Sequence, residues 1–199
     1  MALRKNTLDL LDAHITSENN TFIGGSEYIR NRTFTEGFRL DSVNWDTYHT
    51  LFNTLITSNG IVPVWDEFKY TDVISTPNLI DTKITTDDTG IYLFIVKSQF
   101  QIYEHSKFVL YVGIAGENGS SRPLKERLND YFRLKQVLKR DAIIRMLEKY
   151  KNNVHIAYFT TSVSTTILKQ IEKALIGFFY PLANKDDFPV ELAPSTKSF

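Results

Sequence analysis

The pattern of apolar and polar positions changes character near residue 88. Upstream, apolar residues are sparse and irregular. Leu8, Leu10, Leu11 and Ile15 fit a short helix opened by Asn6 or Thr7, and the stretch TSENNTFIGGSEYIRNRTFTEG reads as loop, with Gly24-Gly25 and Gly37 as turn signals. Trp45, Tyr48, Phe52, Leu55 and Ile56 recur at helical spacing, which predicts a helix capped by Asp41 or Ser42 and ended by Asn59-Gly60. Between residues 61 and 89 only short apolar runs occur (IVPVW, DVI, NLI), interrupted by Pro63 and Pro77.

Downstream the order is regular. GIYLFIVKSQ (90–99) and KFVLYVGIAG (107–116) are short apolar segments joined by a polar connection, the signature of two antiparallel strands. GENGSSRP is a loop, and Pro123 stands at the first turn of a helix reading PLKERLNDYFRLK. Asp141 to Tyr150 form a second helix, VHIAYFT (154–160) a third strand, and Ser162 or Ser164 caps a long helix, TTILKQIEKALIGFFY, stopped by Pro181. The order β-β-α-α-β-α predicts an α/β (α+β) fold, a small sheet with helices packed on it. The chain therefore divides into a mixed, partly helical extension (1–87), a compact core (88–187) and a tail (188–199).

Charge alters this picture more than composition does. The 23 basic and 23 acidic residues cancel, which argues against a phosphate-rich partner. By segment they do not cancel: residues 1–89 hold 7 basic against 13 acidic side chains, a net of −6, and residues 90–199 carry the opposite excess. That excess lies in residues 122–151, ten basic against four acidic, including Arg122, Lys125, Arg127, Arg133, Lys135, Lys139 and Arg140. Such a run is either a solvated helix face or an anion-binding surface. The absence of cysteine excludes a disulfide scaffold, a thiolate nucleophile and a thiolate metal site. No apolar run approaches the ~18 residues of a membrane span, and the first residues turn polar too soon for a secretory signal, so a cytoplasmic protein without membrane association is expected.

Four polar residues occupy positions with chemical potential. Glu172 projects from an apolar helical stripe of Leu168, Leu175, Ile176 and Phe179. It is either a half-exposed carboxylate beside Lys169 or Lys173, or a hard oxygen ligand for Mg²⁺, which accepts one or two carboxylates and keeps its waters. Arg127 shares a helical face with Leu124, Tyr131 and Leu134, and its planar fork matches either a nearby carboxylate or a phosphate. Tyr92 and Tyr111 lie on strands, where tyrosines are ordinarily core or rim residues; Gly113 beside Tyr111 leaves room for a ligand or another backbone.

Taken in order, Gly90-Ile91-Tyr92, Tyr111-Val112-Gly113, an Arg in the next helix, a Glu in a later helix and Asn184 after Pro181 resemble the GIY-YIG nuclease family. YVG…LKERLNDYF is similar to the excision-repair members of that family, and IEKALIGFFYPLANK to its closing helix, over about residues 88–187. The resemblance implies a three-stranded antiparallel sheet with flanking helices and a phosphodiester-hydrolysing site with one divalent metal, Mg²⁺ or Mn²⁺. It would make Glu172 the metal ligand, Arg127 the phosphate clamp, Tyr92 the group that activates or orients water, Tyr111 its hydrogen-bonding neighbour, Asn184 a residue fixing the site, and Tyr131 the occupant of a Tyr or His position. Tyr92 is then either a phenolate base or a neutral group positioning water that the metal activates.

One departure concerns the cation that excision-repair members carry three positions after the second tyrosine: this chain has Ile114, so a phenolate would need Lys97, Lys107 or Arg122 nearby. Longer loops are more like restriction-type members. The expectation is a stand-alone restriction or anti-phage DNA endonuclease. Gly113, Arg122, Lys125, Arg133, Lys135, Lys139 and Arg140 would approach DNA, with a homodimer as a possible assembly. A homing or repair-type nicking enzyme, an RNA nuclease, and a non-catalytic nucleic-acid-binding module are the alternatives.

Overall fold

The computed structural model describes residues 42–85, 88–97, 107–116 and 122–184. The helix expected after Asn6 or Thr7, the turns at Gly24-Gly25 and Gly37, most of the loop GENGSSRP and the tail 188–199 lie outside the described residues. In chain order the elements are α1 (Ser42–Ser58), β1 (Asp66–Lys69), α2 (Tyr70–Ser75), α3 (Leu79–Lys83), β2 (Thr89–Lys97), β3 (Lys107–Ala115), α4 (Leu124–Asp130), α5 (Leu134–Val137), α6 (Asp141–Tyr150), β4 (Val154–Thr161), α7 (Thr165–Phe179) and a 3₁₀ turn, Leu182–Asn184.

The fold is α+β, and its sheet has four antiparallel strands in the order β1-β4-β2-β3. The expected three are there; the fourth, β1, comes from the segment assigned to the extension. Its sequence DEFK lacks apolar alternation, because only Phe68 faces the core while Asp66, Glu67 and Lys69 line an outer edge. Charged edges of this kind discourage pairing with another chain. Side chains secure the strand. Asp66 accepts from Lys83 Nζ at 3.0 Å and from the Tyr158 hydroxyl at 2.9 Å, while Glu67 pairs with Lys97 and His155. The acidic groups of β1 are thus matched by neighbours in the sheet and on α3.

β2 is central and buried on both faces, which explains its uninterrupted apolar run. Tyr92 and Phe94 face one core layer, with Leu124, Leu128, Tyr131, Ile143, Leu147 and, from the upstream segment, Tyr70, Val73, Ile80 and Ile84. Ile91 and Leu93 face the other, with Val112, Ile114, Phe159, Leu168, Ile171 and Leu175. α1 packs against the outer side of α7, where the Tyr48 ring lies directly on Gly177: a Cβ there would come within 2.5 Å of it.

Local signals account for most element ends. Gly60, at φ +62°, ends α1 with its N–H donating to Thr57 O at 3.1 Å. Ser164 caps α7, accepting from the Ile167 N–H. Tyr180 adopts a left-handed φ of 50° and turns the chain out of α7 toward the Leu182–Asn184 turn. The segment PLKERLNDYFRLK does not form one helix; it breaks between α4 and α5. A distant side chain meets the chain at this break. Tyr70 Oη donates to Tyr131 O at 2.8 Å, so that carbonyl is engaged by a side chain from α2. Arg133, extended at φ −107°, then restarts the chain.

Candidate functional site

The two strand tyrosines are brought together by register. Tyr92 pairs with Gly113 and Phe94 with Tyr111, so Tyr92, Phe94 and Tyr111 share one face of the β2–β3 pair. Gly113 is required by this packing. A Cβ at that position would come within 2.5 Å of Tyr92 Cζ and Oη and 2.9 Å of Tyr111 Cε1. The space expected for a ligand is filled by tyrosine rings.

From α4, Tyr131 completes the group. Its hydroxyl lies 2.7 Å from that of Tyr92, and it hydrogen-bonds to Tyr111 as well. Arg127, one turn earlier on α4, donates from Nε to Tyr92 Oη at 3.2 Å. The cation beside the first tyrosine is therefore Arg127. The other candidates are placed elsewhere: Lys97 pairs with Glu67, Arg122 with Asp130 and Glu126, and Lys107 is exposed. Ile114 is buried in the opposite core layer against α7, so a cation there would not face the tyrosines.

Burial sorts these groups. Tyr92 and Tyr131 are each 0% exposed, whereas Tyr111, Arg127 and Glu172 keep partial exposure. Tyr111 is the phenol with open surface. Burial pushes its pKa well above the ordinary value, Tyr92 and Glu172 add to the rise, and the hydrogen bond to Tyr131 and the Arg127 charge only partly oppose it. Burial likewise holds Tyr131 high, reinforced by Tyr92 and Tyr111. Both phenols are protonated donors at neutral pH. For Arg127, burial alone would weaken the charge, but Tyr92, Tyr131 and Tyr111 carry its pKa above the usual guanidinium value, so it stays cationic.

Arg127 on α4 and Glu172 on α7 act on the Tyr111 pKa in opposite senses, the first lowering and the second raising it. Among the described residues no group of three His, Cys, Asp or Glu side chains is arranged to hold a metal. The half-buried single carboxylate of Glu172 does not make a closed zinc or calcium cage. It does fit Mg²⁺, which binds few protein ligands and retains water.

Asn184 is 2% exposed and committed to the backbone of β3: it accepts from Val112 N–H at 2.8 Å and donates to Val112 O at 2.9 Å. The side-chain amide stands in for a neighbouring strand on an edge where, among the described residues, β3 has none.

Arg122, Arg133 and Arg140 converge on Asp130, which is 1% exposed. Arg140 also lies over the Tyr131 ring, 4.3 Å from its centroid. Lys135 and Lys139 are exposed on the surface of the same segment, and Lys125 is half-buried on α4. Asp130 and Tyr70 are the residues that sequence reasoning missed. Asp130 looked like one counter-charge in a basic run, although its spacing of three from Arg133 is an intrahelical pairing signal; Tyr70 carried no signal. Comparison of the chain with protein-family models, with curated proteins and with solved structures finds no match.

Proposed function

We propose that this protein is a divalent-metal-dependent DNA endonuclease of the GIY-YIG type. The observation that carries the reading is the Tyr92–Tyr131–Arg127 hydrogen-bonded group, with Tyr111 joined to it through Tyr131, built on the adjacent antiparallel strands β2 and β3 and on the end of α4. Phosphodiester hydrolysis adds negative charge to a phosphate that is already negative, so the catalytic need is fixed positive charge and donors. Arg127 supplies a guanidinium whose direction is set by Tyr92. Tyr111 supplies a protonated hydroxyl on the one partly exposed residue of the three tyrosines.

Burial also redistributes the roles suggested by resemblance. A residue that touches attacking water needs exposed surface, and Tyr92 has none. In this reading Tyr111 faces water and phosphate as a neutral donor, while Tyr92 and Tyr131 hold Arg127 and Tyr111 in place. Glu172 is the residue that would hold Mg²⁺ or Mn²⁺. Bound there, the metal supplies a Lewis acid and a water of lowered pKa. The proposed setting is a stand-alone restriction-type enzyme acting on duplex DNA, with two copies providing two cuts.

The test is incubation with plasmid and phage DNA in Mg²⁺ or Mn²⁺, comparing the native protein with Glu172→Gln. The native protein should cut, and the variant should lose cutting while keeping its melting temperature and DNA binding. Undiminished cleavage by Glu172→Gln would refute the site. Discrete fragments indicate restriction-like specificity; nicks alone indicate a repair-like role.

A further inference from the structure

Building on the nucleic-acid reading above, we infer that Asp130 and the arginines it holds form a preformed subsite for a backbone phosphate of a nucleic-acid strand, continuous with the tyrosine group. An ionised carboxylate with 1% exposure is costly unless cations surround it. Asp130 has an excess of them. Arg122 grips it with both Nη atoms, Nη1 at 2.8 Å from Oδ2 and Nη2 at 2.9 Å from Oδ1. Arg133 Nη1 lies 3.3 Å from Oδ1, and Arg140 Nη2 lies 3.9 Å from Oδ2. One carboxylate thus faces three guanidiniums. Glu126, 3.5 Å from Arg122, adds a second negative charge, but its side chain is more than half exposed and well screened. Among the described residues these ion pairs leave positive charge in surplus.

Arg133 presents part of this surplus outward, while Arg140 is held inside against Tyr131. The Arg133 side chain is 62% exposed and anchored at one end by Asp130. Among the described residues Arg140 Nη1 is buried without a hydrogen-bond partner, its guanidinium lying over the Tyr131 ring. A free arginine loses rotamer freedom when it grips a phosphate; these have already lost it in folding. Lys135 and Lys139, exposed on the same segment, are mobile point charges by comparison. The subsite also touches the candidate site. Tyr131 follows Asp130 in sequence, carries Arg140 on its ring, and bonds to Tyr92 through its hydroxyl.

Plain Coulomb reasoning says that deleting a negative charge beside a phosphate site tightens binding. A preformed subsite demands the reverse, because Asp130 holds the arginines in position. The experiment is fluorescence anisotropy with a labelled 20-base-pair DNA duplex in EDTA, over a salt series, with melting temperatures recorded for each protein. Asp130→Asn should bind more weakly despite its gain in net charge. Arg122→Lys, which keeps the charge and loses the fork, should weaken binding about tenfold. Arg133→Ala should lower the slope of log affinity against log salt by about 1.

Native-like or tighter binding by both Asp130→Asn and Arg122→Lys overturns the subsite and leaves a purely structural ion-pair hub. Should Asp130→Asn fail to fold, Arg122→Lys and Arg133→Ala decide. The two proposals separate cleanly. Cleavage by the native protein with indifferent arginine variants removes the subsite and keeps the nuclease. Duplex binding weakened by those variants, without cutting in any metal, keeps the subsite and removes the nuclease. Absence of duplex binding by the native protein overturns the subsite.

Discussion

Replacing Asn184 with alanine isolates what one buried amide does for an edge strand. Its Oδ1 and Nδ2 satisfy the N–H and the carbonyl of Val112, at 2.8 and 2.9 Å, in a place where the described residues offer Val112 no further strand. Alanine leaves both backbone groups buried and unpaired. Each such loss costs about 1–3 kcal/mol, and a combined value of about 3 kcal/mol lowers the melting temperature of a chain of this size by about 6–12 °C. Tyr111 precedes Val112 and Gly113 follows it, so the disturbance reaches the tyrosine group. Thermal unfolding followed by circular dichroism gives the first readout, and amide hydrogen exchange at Val112 the second. Asn184→Asp sharpens the comparison, since a carboxylate still accepts from the Val112 N–H but cannot donate to its carbonyl. A melting temperature within about 2 °C of native for Asn184→Ala, with Val112 exchanging as slowly as before, would show that the amide contributes nothing of this kind.

Gly113→Ala should displace the Tyr92 and Tyr111 rings, destabilise the fold by about 1–3 kcal/mol and abolish cleavage; a native near-ultraviolet spectrum would contradict the packing described. Tyr111→Phe should reduce cleavage without moving any inflection of the rate profile between pH 7 and 9, because burial holds that phenol protonated throughout; loss of an inflection there would show a titrating base. Acid should weaken the attachment of β1. His155 is lowered by burial and Lys97, so its neutral form contributes stability that is lost as pH falls below about 6.5. Glu67 and Asp66 are lowered by Lys97 and by Lys83 with Tyr158, against burial that raises both. Their contribution is lost as pH falls through the carboxylate range, and Glu67→Gln should flatten that part of the melting-temperature curve; an unchanged curve would refute the linkage. Tyr70→Phe should loosen the break between α4 and α5 and lower stability by about 1 kcal/mol, measured by urea unfolding.

The elements legible in the sequence were those with strong local signals. α1, β2, β3, α6, β4 and α7 follow from periodicity and caps, with ends within a residue or two of expectation. β1 was not legible, because a four-residue edge strand with one inward side chain has no alternation to read. The break after α4 was not legible either, since LNDYFRLK keeps helical spacing and the side chain that meets the break, Tyr70, lies 61 residues away. For the site, spacing on α4 put Arg127 and Tyr131 on one face, and strand parity gave the faces of Tyr92 and Tyr111. Depth was the missing quantity: nothing in the chain order says that Tyr92 is closed to solvent while Tyr111 is open.

The hydrogen bond from Tyr70 to the Tyr131 carbonyl bears on how this chain can be dissected. Residues 66–84 lend the tyrosine group a strand, a core layer and one polar tether, so the segment beginning at residue 88 is not a transplantable cassette. Cutting there would bare β4 as a new sheet edge and release the backbone of Tyr131, whose hydroxyl holds Tyr92. Grafts, shortened versions and chimeras built on this scaffold need to begin upstream of β1 to carry the geometry with them.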